Sequence, residues 1–160
     1  MRGVDVTVSN PRGLLVQLLG ELLYAERRFA DAILASLARD ASDEELSNAL
    51  EQHRDETKQH VERIETAFRR LEIAPTSNRV PELESMVGHH DELAGPVTDT
   101  GLRDVVHAQA ALDAEHWEIS RYRTLLAVAP KDVGELLAET LDEEKRAANV
   151  LLKLVERLAG

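Results

Sequence analysis

The chain has 160 residues and no cysteine, and its 30 acidic against 19 basic side chains give a formal charge of −11 with histidine neutral. The length fits one domain over residues 1–160, and the negative charge disfavours nucleic acid and anionic membranes as partners. The absence of cysteine excludes disulfides, thiolate nucleophiles and cysteine-bound metals. No apolar run is long enough to span a membrane, and the tail at residues 1–10 has no apolar signal core, so we expect a cytoplasmic protein.

Two long helices are predicted in the first half of the chain. The first spans residues 11–39, because Asn10 followed by Pro11 is a typical helix start and apolar residues then recur at helical spacing. The second runs to about residue 72. Ser42 and Glu45 have the spacing of a capping box just before its apolar stripe, and Pro75 ends it.

The segment 74–100 holds three of the five prolines and two glycines, and we expect a connection with one short helix at 82–93. The third long helix is predicted from Thr100 to about residue 129, where Pro130 forces a break. Asp132 with Glu135 repeats the capping pattern and begins a fourth helix that continues to about residue 158.

Four helices of about 26–30 residues, each roughly 40 Å long, predict an all-α bundle. Short links join the first helix to the second and the third to the fourth as antiparallel hairpins. The link between the two hairpins is long enough to travel the length of the bundle. One such crossover is typical of the ferritin-like four-helix bundle.

Polar residues interrupt the apolar stripe near the middle of each long helix. In chain order they are Glu26, then His53, Glu56 or Thr57, and His60, then Glu115 and Glu118, and finally Glu144. Buried carboxylates that are ionised and unpaired cost several kcal/mol each. Basic residues are scarce on these stripes, whereas a pair of divalent metal ions has carboxylates and imidazoles as normal ligands.

Alternatives to this interpretation stay open at this point. Any one of these glutamates can lie at a stripe edge with its carboxylate in solvent, and Glu143 replaces Glu144 if the helix register shifts by one residue. His89 and His90, in the connection, are expected to be a solvated pair, and His107 is expected at the surface. Tyr122, one turn after Glu118, is expected to pack in the core, or else to hydrogen-bond a ligand or accept an electron.

Several segments together resemble the ferritin-like stress proteins of the YciE/YciF type. The segments are 24–27, 53–57 with 60–63, 115–119 with Tyr122, and 140–145, and the resemblance spans about residues 14–158. It implies a four-helix ferritin-like subunit, a homodimer rather than a large storage cage, and a two-metal site of iron or manganese. It also implies the candidate ligands Glu26, Glu56, Glu115, Glu118 and Glu144, to which the stripe pattern adds His53 and His60.

The chain departs from the ligand patterns of related metal-binding bundles at two places. Bacterioferritin-like sites use Glu-x-x-His on two helices, whereas the second helix here has His53, Glu56 and His60 at different spacing. The fourth helix has Ala147 and Ala148 after Glu144, where relatives often have an aspartate at the second position. One of the two metal positions is therefore expected to be weakly held or empty.

Our first hypothesis is a non-haem di-iron or di-manganese protein that oxidises ferrous iron with dioxygen or peroxide in stress protection. Such a protein would be an oxidoreductase. Two alternatives belong to other functional classes. One is a metal-free structural helical dimer that keeps the acidic core, which the missing Glu-x-x-His pattern and Ala148 favour. The other is a stress adaptor that binds a partner through an exposed helix face.

Overall fold

The computed structural model describes residues 8–160, and within that range the chain forms helices and connecting segments with no strand. The predicted N-terminal tail therefore lies, up to residue 7, outside the described residues. The helices are α1 (Pro11–Arg28), a π-helical turn (Phe29–Ile33), α2 (Leu34–Asp40), α3 (Glu44–Arg70), α4 (Pro81–Ala94), α5 (Thr100–Val128) and α6 (Lys131–Ala159). Because α1, the π-helical turn and α2 follow one another without a break, the four predicted long helices and the short connecting helix are confirmed.

The first helix starts as predicted, and the second does not. The Asn10 side chain accepts a hydrogen bond from an amide of the first turn of α1. At α3 the cap is Asp43, whose carboxylate accepts a 2.9 Å bond from the Leu46 amide. The predicted capping role of Ser42 is wrong because its hydroxyl donates instead to the buried Asp104, at 2.5 Å.

The predicted cap of the fourth helix is also wrong. No side chain caps α6, which begins at Lys131, so Asp132 already lies in the first turn. The carbonyl of Pro130 accepts a 2.8 Å hydrogen bond from the amide of Gly134, and this bond starts the helix two residues earlier than a cap at Asp132 would. Glu135 forms an exposed ion pair with Lys131 at 3.7 Å.

The long helices form a four-helix bundle in which α1 and α6 each pack against both α3 and α5. The short helix α4 packs on the outside of α5. Its Glu84 carboxylate accepts hydrogen bonds from Tyr24 at 2.5 Å and from Arg28 at 3.0 Å, and both donors lie on α1. The long crossover therefore covers the face of the bundle between α1 and α5, as the ferritin-like connectivity predicts.

The crossover also touches α1 directly through its backbone. The amide of Asn78 donates a 2.9 Å hydrogen bond to the carbonyl of Gly20. A Cβ atom at position 20 would lie 2.3 Å from Nδ2 of Asn78, so any residue other than glycine would have to displace the Asn78 side chain.

The apolar core has two clusters, and polar residues lie between them. One cluster includes Leu19, Phe68 and Leu137, and the other includes Leu34 and Leu151. On each long helix, the apolar residues change from one cluster to the other at the polar interruption that the sequence shows. The interruptions therefore form one layer across the middle of the bundle.

Candidate metal centre

The central layer contains six of the seven residues that the sequence analysis nominated. Each is no more than 6% exposed: Glu26, His53, His60, Glu115, Glu118 and Glu144. Because the residues come from all four long helices, the bundle itself sets their positions. The alternative that each glutamate lies at a stripe edge with its carboxylate in solvent does not apply to Glu26, Glu115, Glu118 or Glu144.

The nitrogen and oxygen atoms of this layer form two groups, in each of which the candidate ligand atoms lie within 4.8 Å of one another. His53, Glu115, Glu118 and Glu144 make one group, and Glu26, His60 and Glu144 make the other. Glu144 belongs to both, so its two oxygens can face two neighbouring positions. This is the arrangement expected of a carboxylate that bridges a pair of ions.

Glu56 lies apart from both groups. Its side chain is 31% exposed, and its Oε2 lies 3.5 Å from Nδ1 of His53. In the same helical turn, Thr57 is the residue that points inward. It is buried, and its hydroxyl donates a hydrogen bond to the carbonyl of His53. Of the two alternatives at this turn, the bundle therefore selects Thr57, which shares one face of α3 with His53 and His60. Glu56 as a ligand stays a prediction.

The two imidazoles bridge carboxylates of different helices. Nε2 of His53 lies 2.8 Å from Glu115 and 3.5 Å from Glu144. Nδ1 of His60 lies 3.0 Å from Glu144 and 3.3 Å from Glu26. Each histidine therefore contacts the shared glutamate and one other carboxylate of its own group.

His60 is held by two residues that the sequence analysis did not assign to the site. Its Nε2 lies 2.9 Å from Glu143, whose carboxylate is bound in turn by both terminal nitrogens of Arg63. Glu143 was named as a replacement for Glu144 after a shift in helix register, and it does not replace Glu144, which lies in the layer itself. The signal in the sequence was the spacing of Arg63, which follows His60 by three residues and so lies near it on α3.

Such a contact fixes the orientation of the imidazole. A carboxylate that accepts a hydrogen bond from one ring nitrogen leaves the other nitrogen to face the centre, as is usual for histidines that bind metals. Although burial alone would raise the pKa of Glu143, its bonds to Arg63 and His60 hold the pKa below the usual value. The anionic Glu143 thus directs Nδ1 of His60 towards Glu26 and Glu144.

Burial and mutual repulsion shift the ionisation of the layer towards the protonated forms. Burial and the neighbouring Glu115 raise the pKa of Glu144 from 4.5 to about 8. Burial and the neighbouring carboxylates raise the pKa of Glu118 well above its usual value. Burial disfavours the charged form of His60, but the adjacent Glu26 and Glu144 outweigh it and raise the pKa of His60 to about 11. The layer therefore holds protons at neutral pH.

Several buried oxygens of the layer have no hydrogen-bond partner among the described residues. They are Oε2 of Glu115, Oε1 of Glu118 and both oxygens of Glu144, which contacts the histidines without accepting an aligned hydrogen bond. A buried polar atom without a partner is costly. Carboxylate oxygens and imidazole nitrogens are suitable ligands for first-row transition metals. The free oxygens therefore fit a pair of such ions, with fewer protein ligands in the group around His60.

Tyr122 is completely buried beside the layer, and its hydroxyl donates a hydrogen bond to Glu26. Burial and the Glu26 carboxylate raise the pKa of this phenol well above 10, so it remains a donor. The expectation of a packing residue is confirmed, and the hydrogen bond fixes one of the candidate ligands in place.

Two of the four remaining histidines form a separate pair between α4 and α5. His107 is buried at 3% exposure, so the expectation of a surface position is wrong. Its Nδ1 lies 2.9 Å from Nε2 of His90 on α4, whose Nδ1 contacts Asp91. The solvated pair expected of His89 and His90 is therefore wrong for His90, whereas His89 is exposed. The cause is that this segment is helical and turns His90 towards α5.

The family described as "Domain of unknown function (DUF892)" matches residues 10–160. The chain belongs to this family. Protein YciF of Escherichia coli (strain K12) is 31% identical over 137 residues, which cover 82% of each chain. The resemblance predicted from the helical segments is thereby confirmed. Among the described residues of this chain, no helix has the length and apolar character that crossing a membrane requires.

Solved structures agree with the bundle described above. The E. coli stress protein YciF is 28% identical, with a TM-score of 0.87 over 95% of this chain and 98% of that one. YcfI of Rhodopseudomonas palustris is 30% identical, also with a TM-score of 0.87, over 94% and 97% of the two chains. A two-domain protein of Anabaena variabilis that contains a ferritin-like domain matches with a TM-score of 0.53 at 20% identity, over 94% of this chain and 36% of that one. The fold is ferritin-like.

Proposed function

We propose that this protein binds two iron or manganese ions in the central layer and uses them in redox stress protection. The observation that supports this most directly is the position of Glu144, which belongs to both groups of candidate ligands. The free buried oxygens of the layer support it as well. A role in stress follows from YciF, which is described as a stress protein.

Bound in the layer, two ferrous ions would supply one electron each to dioxygen or hydrogen peroxide. His53, Glu115, Glu118 and Glu144 would hold one ion. Glu26 and His60 would hold the other together with the shared Glu144. The group with His60 has three protein ligands against four, so we expect it to bind more weakly.

The residues of the layer also handle protons. Glu118 and Glu144 hold protons at neutral pH in the metal-free protein, because burial raises the pKa of both carboxyls. The two histidines are protonated for the opposite reason, since neighbouring carboxylates stabilise the imidazolium. Ligands must lose these protons to bind a cation, so metal binding releases protons and strengthens as the pH rises.

A second candidate is a metal-free structural layer, and one observation favours it. His60 is charged up to a pH of about 11, and its Nδ1 lies 3.3 Å from Glu26 and 3.0 Å from Glu144. Its imidazolium therefore already balances the charge of whichever of these two carboxyls is ionised. The layer would then be a buried ion-pair network that specifies how the helices align, a use of buried charge that is known in other bundles.

Metal content distinguishes the two candidates. The metal-depleted protein is dialysed against ferrous ion without oxygen, or against manganous ion, and elemental analysis then gives the ions bound per chain. We expect two, one for each group of ligands. Bound ferrous ion should become ferric when dioxygen or peroxide is added. Protein that retains no metal would overturn the proposal and favour the structural layer.

The assembly that we propose is a homodimer. Light scattering on the purified protein measures this directly, and a mass of two chains is expected. The mass of a large storage cage would contradict it.

A further inference from the structure

A small apolar pocket lies beneath α4 and reaches the central layer at Glu115. It has a volume of about 50 Å³ and is formed between α4, α5, α2 and the π-helical turn. Every lining residue except His90 and Glu115 is apolar, and the wall includes Phe29, Leu83 and Ala111. The sequence analysis gave no indication of this pocket, because its wall combines segments that are far apart in the chain.

The polar atoms of the wall make the pocket unsuitable for water. Both ring nitrogens of His90 already have partners, Asp91 at 3.0 Å and His107 at 2.9 Å. Glu115 places one oxygen 2.8 Å from His53, and only its other oxygen is without a partner. An ordered water usually needs two to four polar partners, and this partly open pocket offers it one free acceptor, so the wall favours apolar molecules.

The π-helical turn is a second unusual feature at the same place. Phe29 and Ile33, the first and last residues of this turn, both line the pocket. The guanidinium of Arg54 donates a 2.8 Å hydrogen bond to the carbonyl of Ala30 within the turn. Single π-helical turns are rare and occur frequently at functional sites. Here the turn begins three residues after Glu26, a candidate ligand.

We propose that this pocket binds dioxygen next to Glu115 and is the binding site of the oxidant beside the central layer. A water-sized sphere needs roughly 10–15 Å³, so a diatomic molecule fits in the pocket. Hydrogen peroxide has two donors and several lone pairs, and the wall offers it one free acceptor. The role of dioxygen as oxidant rests on the proposed function, because it needs bound ferrous ion to supply electrons. The binding of dioxygen in the pocket does not depend on the proposed function.

The first test uses the metal-free full chain and dioxygen itself as the probe. Dioxygen is paramagnetic, so under raised oxygen pressure it speeds the relaxation of nearby methyl groups in NMR spectra, compared with nitrogen at the same pressure. We expect the methyls of Leu83 and Met86 to respond several-fold more strongly than those of Leu19 and Leu137. The latter two are buried in the other apolar cluster. An equal response at all four residues would overturn the proposal.

Filling the pocket should abolish the response. Ala111→Leu places a larger side chain in the wall, and Ala110→Leu, at a half-buried lining position, serves if the first variant does not fold. The matched control is Ala147→Leu, at a half-buried position in a different pocket between α3 and α6. The strong methyl response should disappear in the filled variants and remain in the control. A response that survives in the filled variants contradicts the assignment.

A second test addresses the oxidant role in protein loaded with ferrous ion. Ala111→Leu should raise the KM for dioxygen several-fold and leave the rate with hydrogen peroxide unchanged. If the substitution slows both oxidants equally, or neither, the pocket is not the site of the oxidant. Should the protein bind no metal, the proposed function fails while the NMR response still decides whether the pocket binds dioxygen.

Discussion

Replacing Glu144 with glutamine separates the electrostatic cost of the buried carboxyl from its proposed part in metal binding. The side chain is completely buried, and its carboxyl has a pKa of about 8 in the folded protein against 4.5 as the ordinary value. Between these values the unfolded chain loses the proton while the folded chain keeps it. The stability of the metal-free protein therefore falls as the pH rises through this window.

The size of the effect follows from the same two values. Each pH unit in the window costs the wild-type fold about 1.4 kcal/mol, which accumulates to about 3 kcal/mol at pH 7. Glutamine has nearly the same shape and no proton to lose. Without metal, Glu144→Gln should thus match the wild type near pH 4.5 and become more stable by up to about 3 kcal/mol at pH 7.

Metal should reverse the order of the two proteins. An ion that binds only the folded state stabilises it by about 2.7 kcal/mol at a free concentration of 100 times Kd. The variant loses the carboxylate common to both ligand groups, so ferrous or manganous ion should stabilise the wild type far more than Glu144→Gln. The expected result is a variant that is more stable without metal and less stable with it.

Urea unfolding at several pH values between 5 and 8, with and without metal, measures both effects. The matched control is Glu156→Gln, the same change at an exposed position on α6, and it should alter stability little at any pH. Two outcomes would refute the reasoning. One is a stability difference between Glu144→Gln and the wild type that does not grow with pH, and the other is an equal metal effect on both.

Further measurements test other parts of the layer and its supports. His60 has a pKa of about 11 in the folded protein against 6.5 ordinarily, so its contribution to the stability of the fold is complete below pH 6.5 and is lost as the pH rises towards 11. The free energy of unfolding of the metal-free protein should therefore fall across that range, and a free energy that does not change with pH would contradict this. Asp104→Ala should cost about 3 kcal/mol in urea unfolding, because the buried carboxylate accepts three hydrogen bonds from the connection between α2 and α3. Tyr122→Phe should cost about 1–2 kcal/mol by removing the hydroxyl that donates to Glu26, and an unchanged stability would argue against that bond. Glu118→Gln should lower the metal content by one ion per chain in elemental analysis, since this residue belongs to one ligand group only.

Much of the architecture is local and could be predicted from the sequence. Helical spacing of apolar residues, the start at Asn10 and the break at Pro130 give the helices, and the length of the middle connection gives the crossover. Caps were predicted less well because a side chain can bond elsewhere: Ser42 is drawn to Asp104 on α5, and that contact exists only in the folded bundle.

The candidate ligands were also visible as interruptions of the apolar stripes, because a carboxylate in the middle of a core-facing stripe must point inward. Spacing alone left the choice between Glu56 and Thr57 open. The bundle decides it, since the side chain that reaches the layer is the one on the same face of α3 as His53 and His60.

The sequence by itself determined the helices, the order of their connections and the residues that enter the core, because these depend on periodicity and turn chemistry along one segment. Only the tertiary structure decided that Glu144 is common to two ligand groups and that Glu143 with Arg63 orients His60. It also decided that α4 and the π-helical turn contribute to a pocket beside Glu115. These features depend on distances between atoms of different helices, which the rotation and axial shift of each helix set and no local pattern encodes.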